Sequence, residues 1–310
     1  MKKPIQLSKL FLSFVLLSFL LTSIGCQKKE SSAQQEEKPE VLVSIPPYAY
    51  FVQKIAGDTL SVQSVVPPGS DLHTFEPTAK DVHKFTDTAL WIGIGENFER
   101  RIVETLYAQN EGMVSLNLSE YIPLSPHPNT LGVCLGLEQQ KHRREAAMDL
   151  HFWMSPKLAP LQAQLIARAL IEVNPEKKHL YLANLKKFME ELTDLDDELE
   201  KKFSSIKGAA FLVSHPSLGY FCKDYGLYQI SVECEGKAPK PKDLQTIMEL
   251  AKEHHVRCLL MQANLPYKGA SLIAKKLKIP SYDFDPYARN YMENIKKLAK
   301  IIYKSYQANS

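Results

Sequence analysis

Four residues carry side chains that suit metal chemistry: His73, His151, His215 and Asp285. Neutral imidazole and carboxylate suit zinc and its first-row neighbours. His73 lies in Pro67-Pro68-Gly69-Ser70-Asp71-Leu72-His73-Thr74-Phe75-Glu76-Pro77, directly after a β-rich run at 60–66. His151 stands in Met148-Asp149-Leu150-His151-Phe152-Trp153-Met154-Ser155-Pro156, before a helix that Ser155-Pro156 is expected to start. His215 ends the run Phe211-Leu212-Val213-Ser214, and Asp285 ends Tyr282-Asp283-Phe284. In open α/β sheets ligands bind beyond the carboxyl ends of strands, so these positions count for more than positions on helices. Spacing alone leaves them as candidates, since a lone histidine is more commonly structural. Glu76, near His73, could accept the proton of a ligand's other ring nitrogen or cap the helix that Pro77 introduces.

The remaining histidines read differently. His83, His179 and His254-His255 fall on or at the ends of helices, as structural or solvated residues. His127 and His142 lie in the loop 125–149, where solvated side chains compete with a role in passing metal to the site. No cysteine stands in CxxC spacing, HExxH is absent, and no GxxxxGK[ST] occurs. Catalytic zinc needs an open position for water and a nearby base, whereas four protein ligands close the shell. The chain is therefore not read as an enzyme, and a zinc hydrolase is retained only as an alternative.

The elements that must position these residues form an α/β plan. Strands are expected at 41–45, 60–66, 89–94, 209–214, 228–233, 256–262 and 280–284, alternating with helices at 48–56, 97–108, 241–254, 270–278 and 290–306. Between them, Asn174-Pro175-Glu176 opens a charged segment in which Leu180, Leu182, Leu185, Phe188, Met189, Leu192, Leu195 and Leu199 recur at helical spacing. One long helix of roughly thirty residues would span about 45 Å, enough to bridge two lobes. The fold class is α/β: two lobes, each with a mostly parallel sheet flanked by helices, at 40–173 and 208–310, joined by a linking helix at 174–207.

With 310 residues and a formal net charge of +3, the chain suits two domains and offers no basic surface for nucleic acid. A basic start, an apolar run at 10–21 and Ser23-Ile24-Gly25-Cys26 resemble a bacterial lipoprotein signal. Residues 1–25 are thus expected to be removed, Cys26 lipidated, and the polar stretch to residue 39 to serve as a tether at the outer face of the membrane. Among Cys134, Cys222, Cys234 and Cys258, buried free thiols and one disulfide both remain open.

From about residue 41 onward the chain resembles the zinc/manganese solute-binding lipoproteins of ABC importers, the ZnuA- and TroA-like proteins of solute-binding family 9. The likeness rests on Pro-Pro-Gly before His73, Phe75-Glu76-Pro77, His151-Phe152-Trp153-Met154-Ser155-Pro156, Ser214-His215-Pro216 with Gly219-Tyr220-Phe221, and Asp285 followed by Tyr291-Met292 and Asn294. It implies two α/β lobes linked by one helix, with His73, His151, His215 and Asp285 as ligands in the cleft. Its implied partners are an ABC permease and a separate ATPase subunit, served by a monomeric extracytoplasmic binding protein. Histidine at 215, where manganese-binding members often carry Glu, leans towards zinc. The loop before His151 lacks the many histidines common in zinc-specific members, which keeps manganese and iron open. A metal-independent surface adhesin is the alternative of another class. Because neutral imidazole binds the metal, affinity is expected to fall on acidification.

Overall fold

The computed structural model describes residues 38–307 apart from 68–69, 71, 73–74, 133–147, 234–240 and 264–267. The leader, the tether with Cys26, His73, His142, Cys134 and Cys234 lie outside the described residues. Cys222 and Cys258 are buried free thiols.

The first half of the chain builds β1 (Glu40–Val43), α1 (Pro46–Ala56), β2 (Ser61–Ser64), α2 (Ala79–Val82), β3 (Thr88–Gly93), α3 (Asn97–Tyr107) and β4 (Val114–Asn117). Its sheet has the order β2-β1-β3-β4, with every pair parallel. Val41, Leu42 and Val43 of β1 and Leu90, Trp91 and Ile92 of β3 are fully buried, because helices cover both faces of a parallel sheet and leave no face for polar residues. Edge strand β2 keeps the alternation of Ser61-Val62-Gln63-Ser64. Pro46-Pro47 open α1, where a missing N–H costs nothing.

A second sheet follows the order β5-β7-β6-β8-β9, again all parallel. It comprises β5 (Thr130–Gly132), β6 (Ala210–Val213), β7 (Tyr228–Ser231), β8 (Leu259–Gln262) and β9 (Ser281–Phe284). Between its strands lie α6 (Gly219–Tyr225), α7 (Pro241–Glu253) and α8 (Lys268–Leu277), and α9 (Tyr291–Gln307) closes the chain. Strands β4 and β5 were not expected, since Val-Ser-Leu-Asn and Thr-Leu-Gly are too short to show a period. Strand β5 pairs with β7 across nearly a hundred residues, and the buried Gln229 fixes the pairing through Nε2 donating to Thr130 Oγ1 at 2.7 Å. The second sheet therefore takes its edge strand from chain that precedes the long helix.

Helix α4 (Ala159–Val173) starts three residues later than Ser155-Pro156 suggests, and the Ser155 hydroxyl accepts from Leu158 N in the turn before it. The linking segment is a 3₁₀ turn (Pro175–Lys177), the 26-residue α5 (Lys178–Phe203) and a second 3₁₀ turn (Ser204–Ile206). At 1.5 Å per residue α5 is about 39 Å long. Asn174 makes no side-chain cap; Pro175 opens the 3₁₀ turn instead of the first α-turn. Leu180 and Leu182 face solvent, and the buried stripe is Tyr181, Phe188, Leu192, Leu195, Leu199 and Phe203. This stripe belongs to one apolar cluster that includes Val41 and Ile92 of the first sheet and Phe211 and Val213 of the second. Gly208, with φ +84, provides the left-handed turn that returns the chain from the segment into β6.

Candidate metal centre

Strands β6 and β7 are parallel neighbours in which Val213 pairs with Ser231. Two residues beyond that pair, the chain places His215 after β6 and Glu233 after β7. Parallel register thus brings an imidazole and a carboxylate side by side at the carboxyl end of the sheet, where His215 Nδ1 hydrogen-bonds Glu233 Oε1. Ser214 anchors the turn: its N–H donates to Leu260 O at 2.9 Å, and its Oγ accepts from Gln262 N at 2.9 Å. Both His215 and Glu233 are buried.

His151 is held by a local device. It begins a 3₁₀ turn (His151–Met154), and Asp149 Oδ1 accepts from both the His151 N–H (2.9 Å) and His151 Nδ1 (2.7 Å). Asp149 is itself clamped. Tyr220 of α6 donates its hydroxyl to Asp149 O at 2.8 Å and accepts from Ser125 N at 3.0 Å. Burial pushes the Tyr220 phenol up to about 12, so it remains a donor at neutral pH. Gly219 allows this approach, since a Cβ there would stand 2.5 Å from Pro128 O and 3.2 Å from Asp149 Oδ2. The Ser155 hydroxyl donates to Asp224 Oδ2 of α6 at 2.5 Å and accepts from Leu158 N at 3.0 Å, joining the His151 turn to the helix that follows His215.

The two histidines meet through Nε2 atoms 3.2 Å apart, with ring centroids at 5.0 Å and planes at 64°. Each carboxylate sits behind its ring at Nδ1, which turns Nε2 of each imidazole towards the other. A tetrahedral ion with bonds of about 2.0–2.1 Å would place two ligand nitrogens about 3.3 Å apart. The spacing fits a shared metal.

Asp285 follows β9. Its Oδ1 accepts from Tyr287 N at 2.9 Å, and its main-chain carbonyl accepts from Asn294 Nδ2 at 2.8 Å. Burial raises its carboxyl above the ordinary range, and Lys297 opposes that shift. Phe284 and Pro286, on either side of it, line a cavity of about 10 Å³ together with His215. Trp153, fully buried beside His151, donates Nε1 to Pro286 O at 3.0 Å. Among the described residues no group of three or more His, Cys, Asp or Glu stands close enough to hold a metal. The structure thus brings His151 and His215 together, sets the segment of Asp285 beside them, and does not describe His73. Glu76 is exposed and lines an outer cleft with Phe75, Phe98 and Arg100. The sequence reading missed Asp149 and Glu233, although both stand where it sought histidines: Glu233 just past a strand end, Asp149 two residues before His151.

Two parallel sheets along one long helix, with a paired-imidazole centre at the carboxyl end of a sheet, define an α/β metal-binding protein. Comparison with known proteins agrees. The family model described as zinc-uptake complex component A, periplasmic (ZnuA), matches residues 41–305. The chain belongs to this family of metal-binding components of ABC importers. It is 30% identical over 285 residues to a protein of Chlamydia trachomatis serovar D named, provisionally, for metal binding, with 92% of this chain and 97% of that one covered. It is 28% identical to the manganese ABC transporter substrate-binding lipoprotein PsaA of Streptococcus anginosus, with 91% of this chain and 89% of that one covered. A crystal structure of a ZnuA 138–173 deletion mutant with zinc bound superposes with a TM-score of 0.76 at 31% identity, covering 88% of this chain and all of that one.

Proposed function

We propose that this protein captures one divalent transition metal ion, zinc ahead of manganese or iron, and delivers it to an ABC permease driven by a separate ATPase subunit. His151 and His215 supply two ligands through Nε2, and His73 and Asp285 complete the shell. The observation that carries the reading is the pair of imidazole Nε2 atoms facing at 3.2 Å, each ring held from behind by a buried carboxylate. Relatives named for manganese and a neighbour holding zinc support the metal class. Histidine rather than a harder oxygen donor at 215 favours zinc. The chain would work outside the cytoplasm as a monomer, tethered through a lipidated Cys26, and would leave all nucleotide chemistry to its partners.

The test is elemental analysis of protein purified without added metal, followed by competition titration with zinc, manganese and iron. One tightly bound zinc per chain is expected. Metal and proton compete for the same nitrogens, so affinity at pH 5 falls well below that at pH 7.5. Zinc binding of equal strength in wild type and in a His151→Ala, His215→Ala double variant would remove the proposal.

A further inference from the structure

Asp149 and Glu233 share a property beyond their bonds to the two histidines. Each uses one carboxylate oxygen on an imidazole, while the other, Asp149 Oδ2 or Glu233 Oε2, is buried with no hydrogen-bond partner among the described residues. A buried carboxylate oxygen without a partner costs more than an ordinary lost hydrogen bond, so a fold keeps two of them only when something offsets that cost. The order carboxylate, imidazole, imidazole, carboxylate sets one acid behind each of two facing rings, and a dication held by both rings would offset both acids.

Building on the metal-capture reading, we propose that Asp149 and Glu233 are positioning residues that set the affinity and specificity of the centre. They lock both rings in the Nδ1–H tautomer and supply the charge that favours a dication bound through strongly donating imidazoles. Glu233 makes the sharper test. It reaches His215 from a neighbouring strand, whereas Asp149 also holds main-chain N–H and so mixes local folding with its action on the ring. Zinc gains more from imidazole donation than manganese does, so loss of the carboxylate charge should narrow the preference between them.

Three variants separate the contributions: Glu233→Gln, whose amide oxygen still accepts from Nδ1–H but carries no charge; Glu233→Leu, which removes both; and Asp149→Asn. Nitrogen-15 NMR of the histidines in metal-stripped protein reads the tautomer without any metal. Wild type and Glu233→Gln should hold His215 as Nδ1–H, and Glu233→Leu should shift it towards Nε2–H. Zinc affinity should fall about 10–100-fold in Glu233→Gln and in Asp149→Asn, the range for partners behind a metal-bound imidazole, with a smaller fall for manganese. The inference is overturned if Glu233→Leu keeps the wild-type tautomer, if Glu233→Gln binds zinc within about twofold of wild type, or if zinc and manganese weaken equally. A wild type that binds no metal would defeat the functional reading, while the tautomer measurement would still report whether Glu233 controls the ring.

Discussion

Each sheet buries a glutamate at its carboxyl end, and the partners given to the two acids differ. In the first sheet, Glu99 of α3 folds back beneath β3 and accepts from Ile94 N at 3.0 and 3.1 Å and from Gly95 N at 2.9 Å. Both of its oxygens are served by main chain that cannot leave. In the second sheet, Glu233 meets an imidazole, and its other oxygen has no partner among the described residues. Main-chain amides close the first acid as a structural strut of the loop after β3. The second hydrogen-bonds the imidazole of His215, whose Nε2 faces that of His151. Burial alone therefore does not mark function; what sets the second acid apart is that its partner is an imidazole at a strand end rather than main chain.

The contrast breaks most sharply on metal affinity. Structural zinc sites contribute about 10–16 kcal/mol over four ligands, so losing one should cost roughly 3–4 kcal/mol, or several hundredfold. His151→Ala and His215→Ala should each weaken zinc binding by that order in competition titration. Glu99→Gln should leave zinc affinity within about twofold. An equal loss in Glu99→Gln would mean that the first sheet's buried acid also serves the metal, and the distinction would collapse.

The same pair is distinguished by stability. Burial raises the Glu99 carboxyl from 4.5 to about 7. Because the folded state holds this proton more tightly than the unfolded chain, stability is greatest below pH 4.5. It declines as pH rises towards 7 and is level above that. The shift corresponds to about 3 kcal/mol. Urea denaturation of wild type and Glu99→Gln across pH 4.5 to 8 should give a difference curve that favours the variant increasingly up to pH 7. A flat difference would show that the amides of Ile94 and Gly95 stabilise the ionised form well enough to cancel the cost of burial.

Much of this plan is visible in the sequence, and the gaps follow a physical rule. Buried parallel strands such as Val41-Leu42-Val43 and Phe211-Leu212-Val213 announce themselves as β-rich runs, and His215 is conspicuous at the end of one. The long helix is legible from its periodicity, although Tyr181 rather than Leu180 or Leu182 starts its buried stripe. Register is not legible. Nothing local reveals that Glu233 lies beside His215, because that depends on Val213 pairing with Ser231. Nor does Thr130-Leu131-Gly132 disclose that it joins a sheet whose other strands all lie beyond residue 209. Extending the rule about strand ends from imidazoles to acids would have singled out Glu233, and asking which acid stands two residues from a candidate histidine would have singled out Asp149.

The smallest expected effect concerns how Asp285 is brought to the pair. Trp153 packs between the rings of His151 and Tyr287, with centroids at 5.0 and 5.6 Å, and donates to the carbonyl of Pro286. It links the turn bearing His151 directly to the segment bearing Asp285. Trp153→Phe keeps an aromatic ring and removes the donor, leaving a carbonyl unserved at a cost of about 1–2 kcal/mol in thermal or urea unfolding. If Asp285 is a ligand held in place through this link, zinc affinity should also fall by about three- to tenfold. Placing Trp153→Phe in an Asp285→Asn background decides the point by a double-mutant cycle. The affinity effect of Trp153→Phe should vanish there, because no carboxylate remains to be positioned, while its stability cost should persist. An affinity loss of the same size in both backgrounds would assign the role of Trp153 to His151 alone and remove Asp285 from the shell.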